Sequence, residues 1–383
     1  MIPLSVPFLN GNEWKYVKDC LDTGWISSAG SYVSQFEQQV ADYVGAKYGI
    51  ACMNGTVGLH IAQVIAGVQA SDYVITPNIT FIATLNAIKY TGASPILIDV
   101  LPNSWQMDLN LLECFLSQET EIKFVDGQYN SYRKEDGKRV FAIIPVHVLG
   151  NMGNVDKLQE LASTYHLVII EDSTEALGSY HKEKHAGTFG KFGVFSFNGN
   201  KIISTGGGGV IVTNDEELAK KAKHLTTQAK VSAMEYTHDE IGYNYRLVNV
   251  LAAIGVAQME KFPTLLDNKK RMDKYYRSNL EGVGDIEFQY VSPYVKANCW
   301  LFTFKTSHMR ELLEYLNDKG IQSRPFWVPM NQLEMFKNEI FVSVNDYSNQ
   351  VYQTSISIPS SAGISLLEMQ TVVEHIKAFY TLL

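Results

Sequence analysis

The chain has 383 residues, 46% of them hydrophobic and 19% charged, a globular composition that leaves little room for extensive disorder. Its formal net charge of -8, from 32 basic and 40 acidic residues, argues against broad nucleic-acid binding, which needs clustered positive charge. No apolar run reaches the roughly 18 residues needed to span a bilayer, so no membrane partner is expected.

The opening residues lack the basic and apolar regions of a signal peptide, and a cytoplasmic location is expected. Asn10-Gly11-Asn12-Glu13 reads as a turn into a helix, with Tyr16, Val17, Cys20 and Leu21 at helical spacing. A second amphipathic helix is predicted over 33–44. Short apolar strands then alternate with helices. Strands are predicted at 48–53, 73–76, 95–99, 141–147, 168–172, 194–197 and 210–213. The helices between them fall at about 56–66, 81–90, 155–165 and 215–225. That alternation predicts an α/β domain whose largely parallel sheet is covered on both faces. The polar stretch 123–138, with Asp126-Gly127 and Asp136-Gly137, reads as a loop or small hairpin projecting from the sheet. It serves either as surface decoration or as a substrate-rim or subunit-contact element.

The composition shifts near residue 255. A helix over 265–280 leads to strands at 286–290 and 300–306 and to helices at 309–319 and 366–379. Two units are therefore expected, a large one over 1–255 with an N-terminal arm and a smaller α+β one over 256–383. Cys20, Cys52, Cys114 and Cys299 are scattered without metal-ligand spacing, which reads as buried free thiols in a reducing compartment. No metal site is expected, since His147, His181 and His185 form no ligand motif.

Two local signals carry chemistry. In Ser196-Phe197-Asn198-Gly199-Asn200-Lys201, a lysine follows turn-forming residues and precedes Ile202, Ile203 and the four glycines 206–209. On residue type alone Lys201 is a loop lysine at the surface, although four consecutive glycines invite close backbone approach or unusual dihedrals. Glu171-Asp172-Ser173-Thr174-Glu175 ends a predicted strand, where open α/β sheets place ligand contacts. An acid there can cap the next segment, bind a metal or neutralise a protonated heterocycle.

Taken with Asn54-Gly55-Thr56 and Gly242-Tyr243-Asn244-Tyr245-Arg246, these motifs resemble, in order and spacing, the sugar nucleotide aminotransferase family. The resemblance spans essentially the whole chain. It implies the fold of the pyridoxal-phosphate (PLP)-dependent transferases, the aspartate aminotransferase type. It also implies a homodimer with shared active sites. By resemblance, Lys201 bonds covalently to pyridoxal 5'-phosphate and then carries protons, and Asp172 faces the ring nitrogen. Phe81 packs over the ring. Glu175 faces the ring hydroxyl, where many relatives have glutamine. Gly55, Thr56 and Ser196 hold the phosphate at a helix start, and Asn244 reaches it from the partner subunit. Arg246 is either a site residue or an interfacial structural one.

The implied reaction takes an amino group from L-glutamate, releasing 2-oxoglutarate, and places it on C4 of a nucleotide-linked 4-keto-6-deoxysugar. His147, Gln228, Lys230 and Arg324 are candidate substrate contacts. Asn198 stands where many relatives have histidine, and Gly207 where glutamate is common. These departures resemble the branch making legionaminic or bacillosamine-type precursors. A UDP-linked 2-acetamido-4-keto-2,6-dideoxyhexose is therefore the favoured acceptor. The alternatives are a GDP-4-keto-6-deoxymannose aminotransferase of the perosamine type and a nucleotide-sugar-binding protein without catalysis.

Overall fold

The computed structural model describes residues 1–232 and 234–383. Its centre is a ten-stranded sheet. The main path runs β1 (Tyr48–Cys52), β11 (Gly209–Thr213), β10 (Phe192–Ser196), β7 (Val168–Asp172), β6 (Arg139–Ile143), β2 (Tyr73–Pro77), β3 (Ser94–Ile98) and β16 (Ile340–Val342). From β10 to β16 every neighbouring pair is parallel, while β11 runs antiparallel to both of its neighbours. The expected largely parallel sheet is thus present.

Alternation explains why these segments are strands with two covered faces. Along β11, Val210 and Val212 join the core built around Phe36, Phe197 and Phe262, whereas Ile211 joins the core around Leu59, Ile61 and Val194. Successive side chains point to opposite faces, so a strand buried on both sides reads as one apolar run. The helix Gly55–Ala66 covers the second face, and Asn54 caps it by accepting the Val57 N–H at 3.0 Å.

The polar stretch forms a hairpin, β4 (Thr120–Val125) and β5 (Gln128–Arg133), and β5 pairs with the start of β6. Two further small sheets complete the fold. One combines β8 (Tyr180–His181), β9 (Lys184–His185) and β13 (Val295–Lys296), and the other has the order β12 (Glu287–Phe288), β14 (Phe302–Lys305), β17 (Ser355–Ile358), β15 (Arg324–Pro325).

Several features differ from the sequence reading. The helix expected over 265–280 extends across Asn249–Leu280 and passes through both residue 255 and Pro263. A proline inside a helix costs about 3 kcal/mol, and the buried stripe Met259, Phe262, Leu265 and Leu266 offsets that cost. The strand β16 and the helix Tyr347–Thr354 have no counterpart in the sequence reading. Buried Asp99 ties that helix start to the sheet, accepting the N–H groups of Tyr347 and Ser348, each at 2.8 Å. Finally, all four cysteines are free, but Cys114 is exposed and Cys299 half-buried. Cys114 is turned outward on a helix whose Leu112, Phe115 and Leu116 face the core.

Candidate active site

The C-terminal ends of β7 and β10, the start of the helix Gly55–Ala66 and the residues around β15 and Trp300 enclose a cavity of about 570 Å³. Its walls include Gly55, Thr56, Phe81, Asp172, Glu175, Ser196, Lys201 and Arg324. Eight of the twelve residues proposed from sequence therefore converge on one space.

Asp172 ends β7 and is 3% exposed. Its Oδ2 accepts a hydrogen bond from Thr84 Oγ1 at 2.7 Å and its Oδ1 accepts the Thr174 N–H at 3.2 Å. Thr84 is itself buried and lies 2.7 Å from Thr80 Oγ1. The carboxylate is thereby oriented by the first turn of the helix Ala83–Tyr90.

Lys201 follows β10 on a turn whose first bond runs from its own N–H to Asn198 O, 3.0 Å. Its Nζ lies 3.8 Å from Glu175 Oε1 and 3.8 Å from the centre of the Trp300 ring. Burial pushes the lysine pKa down, and the carboxylates of Glu175 and Asp172 oppose that shift. Burial pushes Glu175 up, with Lys201 and the Leu149 N–H pulling the other way. An amine so placed loses its proton more readily than a surface lysine.

The helix start completes the arrangement. The N–H groups of Gly55 and Thr56 have no acceptor among the described residues, as expected of the first turn of a helix. A methyl group at residue 55 would lie 2.8 Å from Thr174 Cγ2 and 3.2 Å from Ser196 Cβ, so only glycine keeps this cradle open. Gly209 serves a related purpose, since a side chain there would strike the Asn54 backbone at 2.6 Å. Exposed Phe81 stands on the rim with 56% of its surface free. Primary amine, buried carboxylate, exposed aromatic face and free helix amides are the donor set that pyridoxal phosphate requires, and the residues fit that group.

A model of the DegT/DnrJ/EryC1/StrS aminotransferase family matches residues 7–377. The chain belongs to that family. It is a PLP-dependent sugar aminotransferase. It is 35% identical to the GDP-perosamine synthase of Escherichia coli O157:H7 over 99% of each chain. Its identity to the GDP-perosamine synthase of Caulobacter vibrioides is 33%, over 97% of this chain and 96% of that one. Among solved structures, the Helicobacter pylori aminotransferase PseC superposes with a TM-score of 0.88 over the full length of both chains at 24% identity, a likeness of fold.

The other four proposed residues lie outside the cavity of this DegT-type chain. His147 is 3% exposed and its Nε2 sits 2.9 Å from Glu171 Oε2. Glu171 also accepts the N–H groups of Gly187, Phe189 and Gly190. His147 is thus held through Nε2 by a buried acid and lies outside the lining of this cavity. Gln228, Lys230 and Asn244 lie on two paired segments outside the cavity lining: the Gln228 N–H bonds Tyr243 O at 3.0 Å, and Thr227 bridges Asn244. Asn244 is exposed, and Lys230 Nζ lies 4.6 Å from the Tyr236 ring centre.

Sequence reading missed Trp300, Thr84 and Trp327. Trp300 covers the lysine and donates from Nε1 to Asn200 O at 2.7 Å. Trp327 lines the mouth and stacks on Phe326 with ring centres 4.7 Å apart. Only the aromatic residues beside Arg324-Pro325 carried a signal.

Proposed function

We propose that this enzyme transfers the amino group of L-glutamate to C4 of a GDP-linked 4-keto-6-deoxysugar, with Lys201 as the covalent anchor and proton carrier. The observation that carries the reading is the convergence of Lys201 Nζ, the Asp172 carboxylate and the free amides of Gly55 and Thr56 on one cavity. The choice of GDP rests on the relatives of 35% and 33% identity named as GDP-perosamine synthases.

When bound, pyridoxal phosphate supplies an aldehyde for the lysine and a ring that withdraws electrons from the reacting carbon. Asp172, held by Thr84, would face the ring nitrogen, and Gly55, Thr56 and Ser196 would hold the phosphate. Phe81 limits tilting from the solvent side. Lys201 Nζ takes the proton from the donor carbon of glutamate and delivers one to sugar C4. Glu175 would face the ring hydroxyl, and Arg324 in the cavity wall would suit an anionic group of either substrate.

A homodimer belongs to the same proposal. Asn244, Gln228 and Lys230 lie outside their own chain's cavity, and in a dimer they would close the pocket of the partner. Sedimentation together with an Asn244→Ala variant tests this: a dimer with weakened cofactor affinity is expected, and a fully active monomer would refute it.

The second reading, a UDP-linked 2-acetamido-4-keto sugar, is favoured by Asn198 and Gly207. Position 207 is open, with only Met53 O within 4 Å of where a methyl group would sit. Incubating the protein with glutamate and each of the GDP-, UDP- and dTDP-linked 4-keto sugars separates the two, with 2-oxoglutarate release and product NMR as readouts. Preference for the UDP sugar would overturn the GDP choice. Absence of transfer to any of them would leave a non-catalytic binder.

A further inference from the structure

Glu175 is held in an unusual way. Its Oε2 accepts the Leu149 N–H at 2.8 Å. Leu149 has φ 60° and Gly150 φ 76°, and a non-glycine residue in that region costs about 1–2 kcal/mol. The turn is locked from behind by Asn298, whose Nδ2 donates to Glu175 O at 2.7 Å and to Leu177 O at 2.9 Å. A methyl group on Gly150 would lie 1.8 Å from Asn298 Oδ1. Asn298 Oδ1 in turn accepts the N–H of Trp300, the residue covering Lys201. The carboxyl group is thus fixed on one oxygen. The other, Oε1, accepts no hydrogen bond among the described residues and faces Lys201 Nζ at 3.8 Å.

We infer that Glu175 and Lys201 share one proton, so that Glu175 stores the proton of the free lysine and releases a neutral amine when chemistry needs it. The inference rests on the functional reading above and adds to it the role of the carboxyl that stands where many relatives carry glutamine. The transfer is balanced: a proton leaves the Nζ ammonium and binds Oε1, turning an ammonium and a carboxylate into an amine and a carboxylic acid. The lysine chain closes the remaining distance by rotation, as catalytic contacts in ligand-free sites often run long. Burial disfavours both charged forms, which brings the neutral pair close in energy to the ion pair. Besides the pair itself, the charged groups lining this cavity are Asp172 at the end of β7, which acts on both partners, and Arg324. His147 and Glu171 are closed on each other deeper in the sheet.

A shared proton has a kinetic signature. Between the two titration steps of a coupled pair, the fraction of neutral amine does not depend on pH. In a lysine without the partner, the neutral fraction rises about tenfold per pH unit below its own pKa. The test measures the rate at which cofactor-free protein captures pyridoxal phosphate, followed by the visible absorbance of the lysine-bound cofactor, for wild type and Glu175→Gln. Because the cofactor's own titration is common to both, the ratio of the wild-type rate to the variant rate is decisive. It is expected to fall at least about tenfold from pH 5.5 to pH 8.5, and a constant ratio would overturn the inference.

Infrared spectroscopy of the cofactor-free protein gives a second measurement. A protonated-carboxyl band at neutral pH is expected in wild type and lost in Glu175→Gln. In Lys201→Met the band should persist to more alkaline pH, because the cation that favours the carboxylate is gone. Identical titration of the band in wild type and Lys201→Met overturns the sharing even if Glu175→Gln does not fold. Failure of wild type to capture the cofactor at all would refute the functional reading instead, and the band would still report where the proton resides.

Discussion

Lys269 offers the sharpest quantitative prediction because it is a buried amine with no counter-ion among the described residues. It is 1% exposed, makes no ion pair among the described residues, and donates to Trp300 O at 2.5 Å and to the Ser360 carbonyl. Burial pushes its pKa down to about 7, against roughly 10.4 in an unfolded chain. The folded value lies below the unfolded one, so between those limits the unfolded chain binds more protons and stability rises with pH. The contribution is complete above roughly pH 10.4 and is lost as pH falls through the folded value. Linkage gives a gain of about 2 kcal/mol between pH 7 and pH 9 from this group alone. Lys269→Met keeps the volume and removes the titration, but leaves two buried carbonyls unpaired at about 1–3 kcal/mol each. At pH 7 these effects nearly offset, so the variant should lie within about 2 kcal/mol of wild type. At pH 9 it should fall a further 2 kcal/mol or so behind. Denaturant unfolding of the cofactor-free proteins at both pH values measures the gap, in which all other titrating groups cancel. An equal gap at pH 7 and pH 9 would refute the reasoning.

Three further outcomes concern the site. Lys201→Ala should lose the visible absorbance of bound cofactor and all amino transfer while keeping its far-ultraviolet circular dichroism; residual transfer would displace Lys201 from its role. Gly55→Ala places a methyl group 2.8 Å from Thr174 Cγ2, and cofactor Kd should rise about tenfold or more, equivalent to roughly 1.4 kcal/mol, as read by fluorescence titration. Thr84→Val removes the 2.7 Å donor to buried Asp172. The cost of about 1–3 kcal/mol should appear mainly in kcat, with the KM for glutamate little changed.

The fold was legible where burial is two-sided or amphipathic. Apolar runs such as Val168-Ile169-Ile170 and Val210-Ile211-Val212 can be satisfied only inside a covered sheet, and they form β7 and β11. The segments that were missed have weak patterns of their own. Ile340–Val342 is three residues long and only half-buried, and it becomes a strand because β3 offers a free edge. The helix Tyr347–Thr354 starts at its cap Asp346 and is held there by Asp99, about 250 positions earlier. The predicted start at 265 falls just after Pro263, a residue that removes a helix hydrogen bond. The apolar stripe nevertheless continues on both sides of the proline, and its packing outweighs the lost hydrogen bond.

At the site, the residues named from sequence belong to segments that carry their own turn chemistry: a glycine at a helix start, acids at a strand end, a lysine after a tight turn. Trp300 and Thr84 have no such local mark. Each acquires meaning only from a partner roughly ninety to one hundred positions away, Trp300 from Asn200 and Thr84 from Asp172. His147 shows the converse. A histidine at a strand end invites a substrate role, but here its Nε2 is taken by Glu171, a buried acid that also accepts three backbone N–H groups, and the ring stays outside the cavity lining. Among the polar groups lining the cavity, Glu175 Oε1 and the first amides of the helix at Gly55 are ones the fold leaves unsatisfied. Which polar groups remain unpaired is a property of tertiary contacts, and for that reason the sequence localised the chemistry to a few segments without deciding among neighbouring side chains.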